Sequence, residues 1–388
     1  MSNIAIIGAG PGGLLAAIAL AQRGVRSTVY EREGHPAQQR SYNPDRSYPI
    51  DITGHGLRGI RHIDAVEVFD SYMTRFRGIS YRGRTVDPWN EPGWIGSRGD
   101  ITRVLMLVAE DRHGDLIEFA FNREVRALDV NAGEVDGRSF DLIVGADGAG
   151  SRVRSAMQQQ VKGFTVETSA VSNVGLILEL DRSTEQLDRH YLNALSLSPF
   201  TMSGVITDET KPDGVRWLAV IGTKRPLSFS SESEAAAWLR RKVPKAEDHA
   251  SPQAIGEMSR RRAIPLGRRV TCSSLHGGRA VLIGDAAQTI PPVGQGCNAS
   301  LESAMVLDEC LAAGPLESFG VRYDAAWKPQ TEALAWIGWQ MRYEDRMTAV
   351  RAILGALMGA NIARETKSST LPYSEVAGTA RRLGWLWA

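Results

Sequence analysis

The chain has 388 residues, 43% hydrophobic and 23% charged with no biased tract, which excludes a disordered or fibrous protein. At about 100 to 200 residues per domain, two or three domains are expected. A formal net charge of +1 supplies no field for nucleic acid or an anionic membrane, and Cys272, Cys297 and Cys310 make neither a CxxC motif nor zinc spacing with histidine.

The chain opens on an apolar strand, Ile4 to Ile7, without the basic region, apolar run and cleavage site of a signal peptide, so a cytoplasmic address is expected. Residues 4–31, IAIIGAGPGGLLAAIALAQRGVRSTVYE, read as strand, glycine-rich turn, Ala/Leu-rich helix, Gly24 stop and second strand. In such a βαβ unit Gly8 permits the tight turn, Gly10 lets a pyrophosphate approach the backbone, and Gly13 lets helix and strand pack closely. Pro11 and Gly12 open the helix, whose amino terminus faces the phosphates with partial positive charge. Glu31, followed by Arg32, ends the second strand, where a carboxylate accepts both ribose hydroxyls and repels a ribose phosphate. The nucleotide expected is therefore of FAD or NAD type.

Further along, SRGDITRVLM places Arg98 at a helix start with Ile101 and Leu105 at apolar positions, and a strand runs from Ile117 to Phe121 and on to Val125. Residues 140–154, FDLIVGADGAGSRVR, give a buried strand, Leu142 to Val144, then a tight glycine turn beside Asp147, with Arg152 and Arg154 adding positive charge. Residues 278–287, GRAVLIGDAA, give a strand from Val281 to Ile283, then Asp285. The segment that follows has a stiff loop, Pro291, Pro292, Val293, Gly294, Gln295 and Gly296, then Cys297 and a helix beginning near Asn298. A helix amino terminus stabilises negative charge that develops close to it.

Together the three fingerprints resemble, in order and spacing, those of the flavoprotein monooxygenases of the p-hydroxybenzoate hydroxylase type. Within that family the likeness is greatest to kynurenine 3-monooxygenase and related bacterial pigment or natural-product monooxygenases, through RSYPIDITGHGLRGI, FNREVRALDV, CSSLHGGRAVLIGDAA and GQGCN. The resemblance implies an α/β fold: a Rossmann-like FAD-binding domain (1–70, 97–160, 270–312), an inserted β-sheet substrate domain (71–96, 161–269) and a helical carboxyl-terminal segment (313–388). It implies non-covalent FAD contacted by Gly8, Gly10, Pro11, Gly12, Gly13, Glu31, Arg32, Arg98, Val125, Asp147, Asp285, Gly296, Cys297 and Asn298. NADPH or NADH is the implied reductant and dioxygen the oxidant, acting through a flavin C4a-hydroperoxide on a small aromatic or indolic substrate. No side chain is demanded as a nucleophile.

The sequence departs from the family at Gln288, where a histidine is usual, and in the stretch up to Gly294, which is one residue shorter. Pro92 and Met341 stand where kynurenine enzymes hold the substrate's carboxylate, and Arg75 and Arg77 bracket their arginine one position off, so an uncharged or weakly polar aromatic is expected. Short β-rich runs over 163–223 suggest a sheet over the flavin, with Tyr191, Phe200 and Trp217, and also Trp89 and Trp94, as pocket candidates, although such aromatics more often serve as core packing. The basic runs 240–245 and 260–269 read as solvated faces or as a patch for a nicotinamide nucleotide's phosphates. The apolar stretch 349–363 is interrupted by Arg351 and too short to span a bilayer, so a monomer or homodimer without a membrane anchor is expected. A flavin-dependent halogenase, a prenyl reductase and a flavin-containing binding protein for a pathway intermediate are the rival readings.

Overall fold

The computed structural model describes residues 3–39, 42–170, 174–182, 184–261, 263–265, 268–290, 294–341, 351, 354–355, 357–359 and 361–384. The apolar opening strand becomes Asn3–Ile7, and Pro11–Gln22 follows as a helix with proline at its first position, where no backbone N–H is needed. That helix is buried from Pro11 to Ala21, which its Ala/Leu composition allows, because the Arg98–His113 and Gly296–Ala312 helices pack against it.

A six-stranded sheet packs with these helices in the spatial order 276–277, 280–282, 142–145, 3–7, 26–30, 117–120. All pairings are parallel except that of the 276–277 strand. Register decides what the sheet presents. Ile7 pairs with Tyr30 and with Gly145, and Gly145 pairs with Leu282, so Gly8, Glu31, Ala146 and Ile283 leave the sheet at one edge. In open parallel sheets the crevice beyond the carboxyl ends of the strands is where ligands bind.

A second, seven-stranded sheet has the order 264–265, 174–179, 215–223, 200–207, 191–197, 78–81, 84–88. Its two faces differ. A side chain built at Gly204 would touch Ile95, Leu192 and Pro49, so the face carrying Met202, Gly204 and Ile206 looks toward the segment before the Ile50–Ile52 strand. By strand alternation Phe200 shares that face, whereas Trp217, opposite Val205, and Tyr191, in phase with Asn193 and Ser203, point the other way.

The long helix Phe319–Gln340 and the short helices Ile362–Ser368 and Tyr373–Arg381 complete the described carboxyl-terminal part. Among the described residues no helix is long and apolar enough to cross a membrane. Much of the stretch 349–363 lies outside the described residues. Within the basic runs Arg240 pairs with Glu247 and Arg260 with Glu232 at the surface, while the half-buried Arg261 pairs with Glu257.

Candidate flavin site

The glycine turn is shaped by sterics. Gly8 has φ +106°, and a Cβ there would lie 2.6 Å from the carbonyl oxygen of Ala146 in the second fingerprint. At Gly10 a Cβ would meet the Arg98 guanidinium at 3.3 Å, so the family arginine stands directly over the turn. Gly12 leaves room for Ser300 of the Gly296 helix, and Gly13 for the carbonyl of Gly8.

Glu31 is fixed at both oxygens: Oε2 accepts the backbone N–H of Ala9 at 2.8 Å and Oε1 that of Glu33 at 2.9 Å. Carboxylate oxygens keep further lone pairs, so Glu31 stays able to accept hydroxyl donors. Arg32 is exposed beside it, and Val125 is buried past the Ile117–Ala120 strand.

Arg98 is aimed by a capping box. Ser97 Oγ accepts the Asp100 N–H and Asp100 Oδ2 accepts the Ser97 N–H at 2.6 Å, which starts the helix at Arg98. The same Asp100 oxygen accepts the N–H of Thr207 at 3.1 Å, tying this helix to the seven-stranded sheet.

Asp285 follows the third strand, which runs Ala280–Leu282. Its side chain is exposed to solvent yet flanked by protein, with Arg98 and Arg154 as its charged neighbours. Desolvation raises its carboxyl above the ordinary range against the opposing pull of Arg98 and Arg154. Tyr48 and Cys297 share these surroundings: burial raises the Tyr48 hydroxyl, and burial pushes the Cys297 thiol up to about 12 despite Arg98 nearby. A thiol so shifted stays neutral near pH 7 and is no nucleophile.

The second fingerprint is more structural. Asp147 Oδ2 accepts the backbone N–H groups of Arg152 and Val153, capping the Arg152–Gln160 helix, while its Oδ1 is buried without a partner among the described residues. Arg154 is buried and donates to the carbonyls of Ala149, Asp285 and Ala286, so it braces the third fingerprint, while Arg152 pairs with Glu124 at the surface.

The Gly296–Ala312 helix starts two residues before Asn298, because Asn298 is drawn into the fold instead of capping the end. Its Nδ2 donates to the carbonyls of Asp51 and Gly294, and its Oδ1 accepts the Thr53 N–H. Gly294 has φ +75°, and Gln295 is buried with its Oε1 accepting the Tyr373 hydroxyl at 3.0 Å. Pro291, Pro292 and Val293 lie outside the described residues. Gln288, in place of the family histidine, donates to the Thr331 carbonyl and ties the loop to the Phe319–Gln340 helix.

Trp94 is fully buried and donates to Asp70, which makes it framework, whereas Trp89 donates to the Pro92 carbonyl and also lines a cleft. Tyr191 lines a separate surface cleft of about 630 Å³ with Arg75, Arg77 and Trp89. Tyr48, Asp51 and Lys367 had no part in the sequence reading. The first two lie in RSYPIDITGHGLRGI, whose resemblance was the available signal, and Lys367 carried none.

The arrangement fits FAD: a turn without room for side chains under an arginine, an oriented acid at the second strand end, and an exposed, protein-flanked aspartate beyond the third. A family model described as FAD binding domain matches residues 102–315, more than half the chain, and one for an NAD(P)-binding Rossmann-like domain matches 6–72. Kynurenine 3-monooxygenase of Salinispora tropica is 28% identical over 367 residues, covering 86% of this chain and 78% of its own. That of Stenotrophomonas maltophilia is 28% identical over 375 residues, covering 86% and 77%. The tetrameric form of 2-methyl-3-hydroxypyridine-5-carboxylic acid oxygenase superposes with a TM-score of 0.67 at 20% identity, covering 96% of each chain. Pseudomonas aeruginosa PqsL in complex with 2-aminobenzoylacetate superposes with a TM-score of 0.67 at 18% identity, covering 98% and 99%. With a strand-end nucleotide crevice, three fingerprints meeting around it and more than half its length matching the family model, the chain belongs to the FAD-binding family of flavoprotein aromatic hydroxylases.

Proposed function

We propose that this chain is an NAD(P)H-driven monooxygenase that hydroxylates or epoxidises a small, uncharged aromatic or indolic molecule. The observation that carries the reading is the meeting of Gly8, Glu31, Arg98 and Asp285 around one crevice, although they come from four distant parts of the sequence. Bound FAD would supply the redox chemistry that couples oxidation of NADH or NADPH to insertion of one atom of dioxygen into the substrate, the other leaving as water.

The protein binds, orients and excludes water. Glu31 holds the adenosine ribose, the Gly8–Gly13 turn and Arg98 hold the pyrophosphate, and Asp285 accepts a ribitol hydroxyl. Val125 flanks the adenine. Backbone N–H groups from Gly294 through Cys297, at a helix amino terminus, would hold the pyrimidine end of the flavin and stabilise negative charge there. In this reading residues 1–70, 97–160 and 270–312 hold the cofactor, and the sheet of 71–96 and 161–269 roofs the substrate. Phe200 lies on the sheet face that looks toward Pro49 and is the aromatic we assign to the substrate, whereas Tyr191 and Trp217 serve the opposite face. The unit acts as a monomer or homodimer.

Anaerobic mixing of FAD-replete protein with NADPH or NADH is expected to bleach the flavin's visible absorbance. Admitting isotopically labelled dioxygen is then expected to add one labelled atom to an indolic or phenolic acceptor. Flavin that stays oxidised with both nucleotides and every aromatic supplied would overturn the reading in favour of a binding protein.

A further inference from the structure

The carboxyl-terminal segment straps the flavin end of the molecule. Lys367, in the Ile362–Ser368 helix, forms an ion pair at 3.0 Å with Asp51, whose side chain is 3% exposed. Ser369 presses its carbonyl against Gly54, which has φ +41° and no space for a side chain, and Ser368 donates to Asp87. Thr53 Oγ1 lies 3.2 Å from both Asp51 Oδ2 and the Lys367 carbonyl, and can donate to either.

The pair faces the flavin loop. Lys367 Nζ is 3.9 Å from where a Cβ on Gly294 would sit and 5.9 Å from the Phe76 ring centre. The Asp51 carbonyl is held by Asn298, and Asp51 is with Arg98 and Asp285 a charged neighbour of Cys297. Among the described residues, Asp51 is the ion-pair partner of Lys367.

We propose that Asp51 and Lys367 are specificity-determining residues of this site: each cancels the other's charge, so the chamber accepts an uncharged ring and rejects an aromatic carboxylate. The inference rests on the functional reading above and names its substrate class. An entering carboxylate would shed its water without gaining a free cation, because the ammonium beside the loop is already committed to Asp51. Removing either partner leaves the other's charge available, which makes the device reversible in sign.

The test is titration of FAD-replete protein with indole, indole-3-carboxylate and tryptamine, read by perturbation of the flavin spectrum. Asp51→Asn keeps the shape and the Thr53 contact while freeing Lys367. Its preference for indole-3-carboxylate over indole is expected to rise about tenfold or more, the size of a charge-assisted hydrogen bond, and Asp51→Asn/Lys367→Met is expected to abolish that gain. Lys367→Met, which frees Asp51, is expected to shift preference toward tryptamine by a similar factor, so a poorly folding Asp51 variant leaves the test intact. Unchanged preference ratios in FAD-replete variants, a gain that survives in the double variant, or no binding of indole-3-carboxylate to Asp51→Asn would overturn the proposal. Failure of the wild-type chain to hold FAD would overturn the functional reading itself, and the two failures are told apart by flavin content.

Discussion

Asp285 stands at the end of the third strand, exposed to solvent on one side and flanked by protein on the other. Burial raises its carboxyl, as it does those of Asp100 and Asp147, so at these positions the native chain holds protons that the unfolded chain has released. Stability from each is full below the ordinary aspartate range and is lost as pH rises through the raised native value. Asp208 and Asp136 shift the other way and lose their contribution as pH falls, so the informative quantity is a difference between variants. Asp285→Asn is expected to flatten the pH slope of the apo melting temperature, by an amount that solvent screening keeps small. The same change is expected to weaken FAD binding about fivefold, the size of one net hydrogen bond. Melting curves with and without FAD across pH measure both, and an unchanged apo slope would count against a raised Asp285 carboxyl. At Gly8, alanine would have to adopt φ +106° with its methyl group against the Ala146 carbonyl. Gly8→Ala should cost about 2 kcal/mol or more in urea unfolding and leave the chain poor in flavin.

At the scale of elements, the capping box at Ser97 makes the Arg98 helix a pointer, and Asp100 connects it to the end of the Phe200–Thr207 strand. Asp100→Ala strands the N–H groups of Ser97 and Thr207, and a loss of about 2 kcal/mol with weaker FAD binding is expected by chemical denaturation and flavin titration. Tyr373→Phe removes the hydroxyl that holds buried Gln295, so about 1 kcal/mol of stability is expected to go, together with part of the loop's order. The opening βαβ unit was legible almost to the residue, because strand, Pro11, glycine turn and terminal acid are all local signals. The strands of the other two fingerprints were legible within a residue for the same reason. The Gly296 helix begins earlier than its pattern suggested, since Asn298 answers to Asp51, far away in sequence. Which face of the seven-stranded sheet carries Phe200 or Trp217 could not be read from alternation alone, because alternation gives two faces without saying which meets the cofactor. Lys367 and Tyr373 gave no signal: their roles arise from contacts with Asp51 and Gln295 across long stretches of chain.

Over the whole molecule, parallel pairing does the assembly. Strands 3–7, 26–30, 142–145 and 280–282 end at one edge, so residues separated by most of the chain line one crevice without any long loop reaching across. Binding FAD there should stabilise the native state by about 2.7 kcal/mol at a hundredfold excess over the dissociation constant. Electron density of the holoprotein crystallised with FAD tests the central claim most directly. The account predicts one FAD per chain, its adenosine ribose on Glu31, its pyrophosphate between the Gly8–Gly13 turn and Arg98, and its isoalloxazine ring beside residues 294–297. A flavin seated elsewhere, or a crevice that stays free of it at saturating FAD, would contradict the account.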